Sequence, residues 1–339
     1  MSEELLIKAI KNNEIGNLYL FYGQEEYLKR NYAEYIENTL LTEDFKLLNK
    51  VVLEGKVTVN TIIDNCETLP VFSDRKLVIV KNSSLFKGRK GSGEKAEASS
   101  REDMLANFLQ NVPKHVCLIF IENEIDKRVK YINIIKKHGL IVELNGREPD
   151  KLIKWVIARV KTLNYEMDIN TAEKLIDYCD QDMDNLMNEI KKLCSYAGDR
   201  KKIVFSDIEK VCTKSVKSRV FDLTDALAAK KPEKAMELLN DMVVLKEPMP
   251  KIMYMIARHI RQLLQVKLLV QNGSTQAEIA SILKLTPYIS GKIIKQTNSF
   301  SVEKLKSAVA RGLELDIAVK TGELKDRTAV ELMIAELSV

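Results

Sequence analysis

The chain has 339 residues, of which 45% are hydrophobic and 30% charged, and a formal net charge of +5. That length supports two or three domains with proper cores, and the balance is that of an ordinary soluble globular protein. The mild positive charge permits a nucleic-acid partner without demanding one. No apolar run approaches the roughly 18–20 residues of a membrane span, and Ser-Glu-Glu after Met1 predicts no secretory signal. Five scattered cysteines without a C-x-x-C pair, beside only three histidines, argue against a disulfide framework or a zinc site. They read as small buried apolar side chains in a reducing cytoplasm.

In chain order, helix 2–13 precedes strand 18–22, helix 25–41 precedes strand 50–53, and helix 58–68 leads to strand 76–80. Helix 101–111 leads to strand 116–121, and helix 128–138 to a short strand at 140–142. Strands separated by helices predict a parallel sheet covered on both faces. Lys87–Arg101 has no apolar periodicity and is expected to be a mobile loop. After Pro149 the pattern turns wholly helical. Helices 148–163, 170–179 and 183–197 read as a small bundle, and the polar, basic stretch 213–218 as a linker. Helices 220–229, 232–245, 250–270, 275–283, 287–296, 302–321 and 328–337 follow, with Pro232, Pro250 and Pro287 in first turns where proline is tolerated.

Residues 17–30 have the setting of a phosphate loop: a buried strand, a glycine and then a helix. Gly23 and Lys29 keep the G-x-x-x-x-G-K-[ST] spacing. Leu28 stands where a second glycine should let the backbone close on phosphate, and Arg30 where a hydroxyl should hold magnesium. Glu25 and Glu26 would repel a triphosphate, so the loop reads as one that does not bind ATP. The third strand ends in Lys81-Asn82, which cannot hold magnesium through a carboxylate. Glu122 could be a displaced acid, but is read as an exposed strand-end glutamate. His115, His138 and His259 lie near no convincing nucleophile. No catalytic set emerges.

The connection Leu69-Pro70-Val71-Phe72-Ser73-Asp74-Arg75 carries two sizeable apolar side chains on a short link that belongs at the surface. Pro70 biases Leu69 toward an extended conformation. Val71 and Phe72 either plug a partner's pocket, each contributing about 1.5–3 kcal/mol when fully buried, or Phe72 folds back onto its own core. Residues 275–296 resemble a helix-turn-helix, with Ala277, Ile279, Ala280 and Leu283 packing one helix and Ile289, Ile293 and Ile294 the other. The second helix offers Lys292 and Lys295 but few base-reading side chains, so a structural helix pair is preferred. Two basic clusters, Arg258, Arg261 and Lys267, and Lys214, Lys217 and Arg219, either face phosphates or simply face water and carboxylates.

Residues 18–28 (LYLFYGQEEYL), 69–81 (LPVFSDRKLVIVK), 220–227 (VFDLTDAL) and the helical run 250–296 together resemble the delta subunit family of the bacterial DNA polymerase III clamp loader, over nearly the whole chain. The resemblance implies a degenerate α/β AAA+-like parallel-sheet domain at 1–145. A small three-helix domain at 146–214 and an all-helical collar at 215–339 would follow. It implies a non-catalytic subunit without cofactor or metal that binds the beta sliding clamp and opens the ring for loading on primed DNA. The clamp-binding pair would be Val71 and Phe72, flanked by Leu69, Pro70 and Ser73. Relatives have leucine before the phenylalanine, and valine here is a smaller plug. Gly23, Leu28, Lys29 and Arg30 would be the relic of the phosphate loop, and Arg258 and Arg261 would meet DNA or a neighbouring subunit. ATP would be bound by motor (gamma/tau) subunits, joined with delta prime through the collar in a cytoplasmic, nucleoid-associated replisome, with no membrane partner. Two other readings compete: an active AAA+ ATPase, and a helix-turn-helix DNA-binding protein.

Overall fold

The computed structural model describes residues 2–87 and 95–338, which divide into two compact units, Met1–Gly146 and Arg147–Val339. In the first unit, α1 (Ser2–Lys11) precedes β1 (Leu18–Tyr22), and α2 (Glu26–Leu40) is followed by a 3-10 turn at Glu43–Phe45 and the single-turn α3 (Lys46–Asn49). Then come β2 (Lys50–Glu54), α4 (Val59–Glu67), β3 (Lys76–Lys81), α5 (Lys95–Gln110), β4 (Val116–Glu122), α6 (Lys130–His138) and β5 (Leu140–Glu143). All five strands pair in parallel in the order β2-β3-β4-β1-β5. Strands β1 and β4 are buried along their whole length, which is why they read as unbroken apolar runs rather than alternating ones. Phe86, Phe120 and Tyr131 meet edge to face beneath α4, α5 and α6, within a core that includes Leu20, Ile62, Val80, Leu105 and Ile135.

The expected elements recur with two changes in this unit. Of the expected loop Lys87–Arg101, residues 88–94 lie outside the described residues, and from Lys95 the chain is already α5. Lys-Ala-Glu-Ala has strong intrinsic helix preference, which decides the matter without an apolar stripe. The segment 43–49, unassigned from the sequence, forms the 3-10 turn and α3.

The second unit is helical: α7 (Pro149–Thr162), α8 (Ile169–Cys179), α9 (Met183–Ala197), α10 (Phe205–Val211), α11 (Val216–Ala228), α12 (Pro232–Val244), α13 (Met249–Gln271), α14 (Gln276–Leu283), α15 (Pro287–Thr297), α16 (Val302–Lys320) and α17 (Asp326–Ser338). The helix starts are written in the sequence. Asp168, Asp182, Ser215, Thr286 and Ser301 each accept a hydrogen bond from the backbone N–H three residues on, and Thr275 with Glu278 forms a full capping box. The expected linker at 213–218 shrinks to 213–215, because the Ser215 cap starts α11 at Val216. Around α13, whose Ile252, Ile256, Ile260 and Leu263 are buried, one core gathers residues from α11 through α17.

Candidate functional site

At the end of β1 the chain turns at Gly23, whose φ is +127° and where a Cβ would sit 2.2 Å from the Leu144 carbonyl oxygen. Only glycine fits that turn. The backbone donors here are already spent: the Gly23 N–H on Glu122 C=O, the Glu25 N–H on Leu144 C=O, and the Gln24 N–H on Asn145 Oδ1. Lys29 does not reach out for phosphate. Its side chain is buried, and Nζ donates to Gly23 C=O (2.8 Å), Glu26 Oε1 (2.7 Å), Asn123 Oδ1 (2.7 Å) and, at longer range, Glu122 C=O (3.3 Å). An ammonium has three N–H bonds, so none is left for a nucleotide. Leu28 is buried, while Arg30 is exposed and 3.9 Å from Glu34. The match at Lys29 thus has a structural use: its side chain ties the ends of β1 and β4 together.

Glu122 corrects the sequence reading, being buried rather than exposed. Its Oε1 accepts from the Ser83 N–H (2.8 Å) and hydroxyl (2.5 Å). Burial holds its pKa above the ordinary value, against the opposing pull of those Ser83 bonds. Asn82 turns the chain at φ +50° so that Ser83 reaches the carboxylate. A carboxylate engaged in this way is poorly placed to hold a metal or activate water.

The connection between α4 and β3 lies at the opposite ends of the strands from Gly23, where β3 begins. Leu69 is 70% exposed, Val71 40% and Phe72 82%, so Phe72 does not fold back into the core. Phe72 has φ +50°, a backbone conformation rare for a bulky side chain. Its ring meets the half-buried Phe45 ring at 5.5 Å. The wholly buried Asn49 grips the neighbouring peptide groups: Oδ1 accepts from the Val71 N–H (2.7 Å), and Nδ2 donates to Val71 C=O (2.8 Å). Pro70 and Ser73 are half-buried. Ser73 donates to Arg75 C=O, and the Arg75 guanidinium is fastened to the carbonyls of Ile15, Gly16 and Val116 and to Asn17 Oδ1. Asn49, Phe45 and Arg75 escape a sequence reading because they act on partners distant in the chain. The one available signal was a lone asparagine closing an apolar turn before a strand.

In the second unit most of the basic candidates are engaged internally. Lys214 pairs with Asp222, Lys217 with Asp180 (3.2 Å), and Lys267 donates to Thr297 C=O. Arg219 Nε donates to Lys214 C=O at 3.3 Å. Lys292, the candidate base-reading lysine, pairs with Asp177 (2.9 Å) and lies over the rings of Tyr288 and Phe221. Ile279, Ala280, Ile289 and Ile293 pack into the core as expected, whereas Ala277, two residues before Ile279, falls on the opposite side of the helix and is exposed. Arg258 and Arg261 remain exposed on α13, with no hydrogen bond or ion pair among the described residues. Arg258 borders a cavity of about 280 Å³ shared with Lys217, His259, Gln262 and Lys284.

Cys179, Glu189 and Cys212 bring their ligand atoms within 4.8 Å of one another. A structural zinc takes four ligands, and Glu189 already lies 2.6 Å from the Lys192 ammonium. The hydrogen bond with Cys179, and then burial, push the Cys212 thiol pKa up. The trio reads as a buried polar island.

Two family models match this chain: "DNA polymerase III, delta subunit" over residues 19–145, and "DNA polymerase III delta subunit, C-terminal domain" over residues 217–337. Together they take in well over half of it. The DNA polymerase III subunit delta of Bacillus subtilis is 26% identical over 97% of this chain and 95% of its own length. The probable DNA polymerase III subunit delta of Aquifex aeolicus is 21% identical over 76% and 72%. Among solved structures, the Bacillus subtilis DNA clamp loader delta protein (YqeN) superposes with a TM-score of 0.63 at 25% identity, covering 100% of this chain and 99% of that one. The parallel sheet with its flanking helices is therefore AAA+-like, followed by a helical C-terminal region. With both its sheet unit and its helical tail matched, the chain belongs to the family of DNA polymerase III delta subunits.

Proposed function

We propose that this protein serves as the delta subunit of a clamp loader: it binds the beta sliding clamp through Val71 and Phe72 and opens the ring without hydrolysing ATP itself. The observation that carries the reading is an 82%-exposed phenylalanine on an anchored loop, in a sheet unit whose old nucleotide pocket is occupied by its own Lys29. Leu69, Pro70 and Ser73 flank the contact. A ligand shifts an equilibrium only by preferring one state, so delta opens the ring by gripping the sprung conformation more tightly than the closed one. Energy comes from ATP in the motor subunits, and the collar, residues 215–339, joins delta to them and to delta prime. Residues 146–214 form the small helical domain between. Arg258 and Arg261, exposed and uncommitted, face an acidic neighbour or primed DNA. The setting is the cytoplasm.

Calorimetric titration of the clamp with Phe72→Ala tests the reading. Losing the burial of one phenylalanine, about 1.5–3 kcal/mol, weakens binding about 10- to 150-fold while the circular-dichroism melt stays unchanged. Undiminished binding by a normally folded variant removes Phe72 from the contact. Nucleotide titration of the isolated wild-type chain with magnesium is expected to show neither ATP binding nor turnover.

A further inference from the structure

The loop that presents Val71 and Phe72 belongs to no helix or strand, yet it is held at both ends. On the far side, Ser73 bonds to Arg75, whose guanidinium is fastened to the starts of β1 and β4. On the near side the only side chain bonded to the loop backbone is Asn49, among the described residues. Its amide makes the two-point contact that a neighbouring strand would make with Val71, and only one orientation of that amide satisfies both the N–H and the C=O. The same Nδ2 donates to Phe45 C=O at 3.0 Å, so the residue that grips Val71 also fixes the residue whose ring meets Phe72. Between the two anchors sits the left-handed φ of Phe72. A bulky residue keeps such a conformation only where its surroundings impose it.

We propose that Asn49 is the positioning residue of this contact: by holding both backbone groups of Val71 it presets the left-handed turn from which Phe72 meets an apolar pocket on the partner. The inference rests on the clamp-binding reading and adds to it a residue that never touches the clamp. Without the Asn49 amide the loop relaxes, Phe72 samples other orientations, and the partner must order it on binding. Preorganisation of this kind changes affinity without changing the contact itself.

A double-mutant cycle on the full chain tests it, with the purified beta clamp as titrant. Asn49→Ala is expected to weaken binding about tenfold in the Phe72 background, and by about threefold or less in the Phe72→Ala background, where only the placement of Val71 remains to be lost. A merely structural role lowers the melting temperature but leaves the same factor in both backgrounds, and that result overturns the proposal. So does wild-type affinity of Asn49→Ala alongside weakened binding of Phe72→Ala. Should Asn49→Ala unfold, Asn49→Asp decides: it retains the acceptor for the Val71 N–H and loses the donor to Val71 C=O. An intermediate loss of affinity supports the positioning role, and unchanged affinity ends it. If Phe72→Ala itself binds as wild type, the clamp-binding reading fails first and takes this proposal with it.

Discussion

Lys29 occupies the position from which a lysine would reach a phosphate, and it has been turned inward. Replacing it by methionine keeps most of the stem and volume but leaves the Gly23 carbonyl buried without its donor, while the Glu122 carbonyl keeps only the Gly23 N–H. An unsatisfied buried acceptor costs about 1–3 kcal/mol, so Lys29→Met is expected to lower the urea midpoint of the sheet unit while clamp affinity stays unchanged. In a working ATPase the same change would spare the fold and abolish nucleotide binding. Urea melts beside a clamp titration distinguish the two. Single residues were legible to different depths. Gly23 and Lys29 were visible as spacing, and Val71 and Phe72 as apolar side chains on a short link. The destination of the Lys29 side chain was not visible, because two of its acceptors, on Glu122 and Asn123, lie more than ninety residues along the chain. Glu122 was misread for the same reason: the Ser83 donors that let it stay buried come from another strand's end.

Among the elements, the five strands were read within a residue or so of their observed ends, since buried parallel strands are apolar throughout and turn residues bracket them. The order β2-β3-β4-β1-β5 was not legible, because register between distant strands leaves no periodic trace. Short elements were missed too: α3 and α10 span four and seven residues, too few to show a helical repeat. The packing of α11, α13 and α15 traps His259, which contacts Gln296 Oε1 (2.9 Å) and meets Phe221 edge-on. Burial lowers its pKa to about 4, and the nearby charge of Lys217 adds to this, while Gln296 and Asp225 oppose it. The unfolded chain therefore binds more protons than the folded one between about pH 6.5 and pH 4. Stability is full above that window and falls as pH drops through it, by up to about 3 kcal/mol from this one group. Denaturant melts at pH 7.5 and pH 4.5 are expected to show the loss, and His259→Gln to flatten it relative to wild type.

At the scale of the whole molecule, the division at Gly146 gives each unit its own hydrophobic interior. Residues 1–146 expressed alone are expected to melt cooperatively and to bind the clamp within about threefold of the full chain, whereas 147–339 alone is expected to show no clamp binding. Loss of binding by a folded 1–146 fragment would put part of the contact in the helical half. The sheet unit also separates its two sites: the apolar loop enters β3 at Lys76, while Gly23 and Lys29 lie past the carboxyl ends of the strands, about 20 Å away at 3.3 Å per residue. Between them runs a parallel ladder paired along β1, β3 and β4. If Val71 and Phe72 are the clamp contact, a ladder so paired carries their loop with it as one body, and offering or withdrawing Phe72 is a displacement of the whole sheet rather than a change within it.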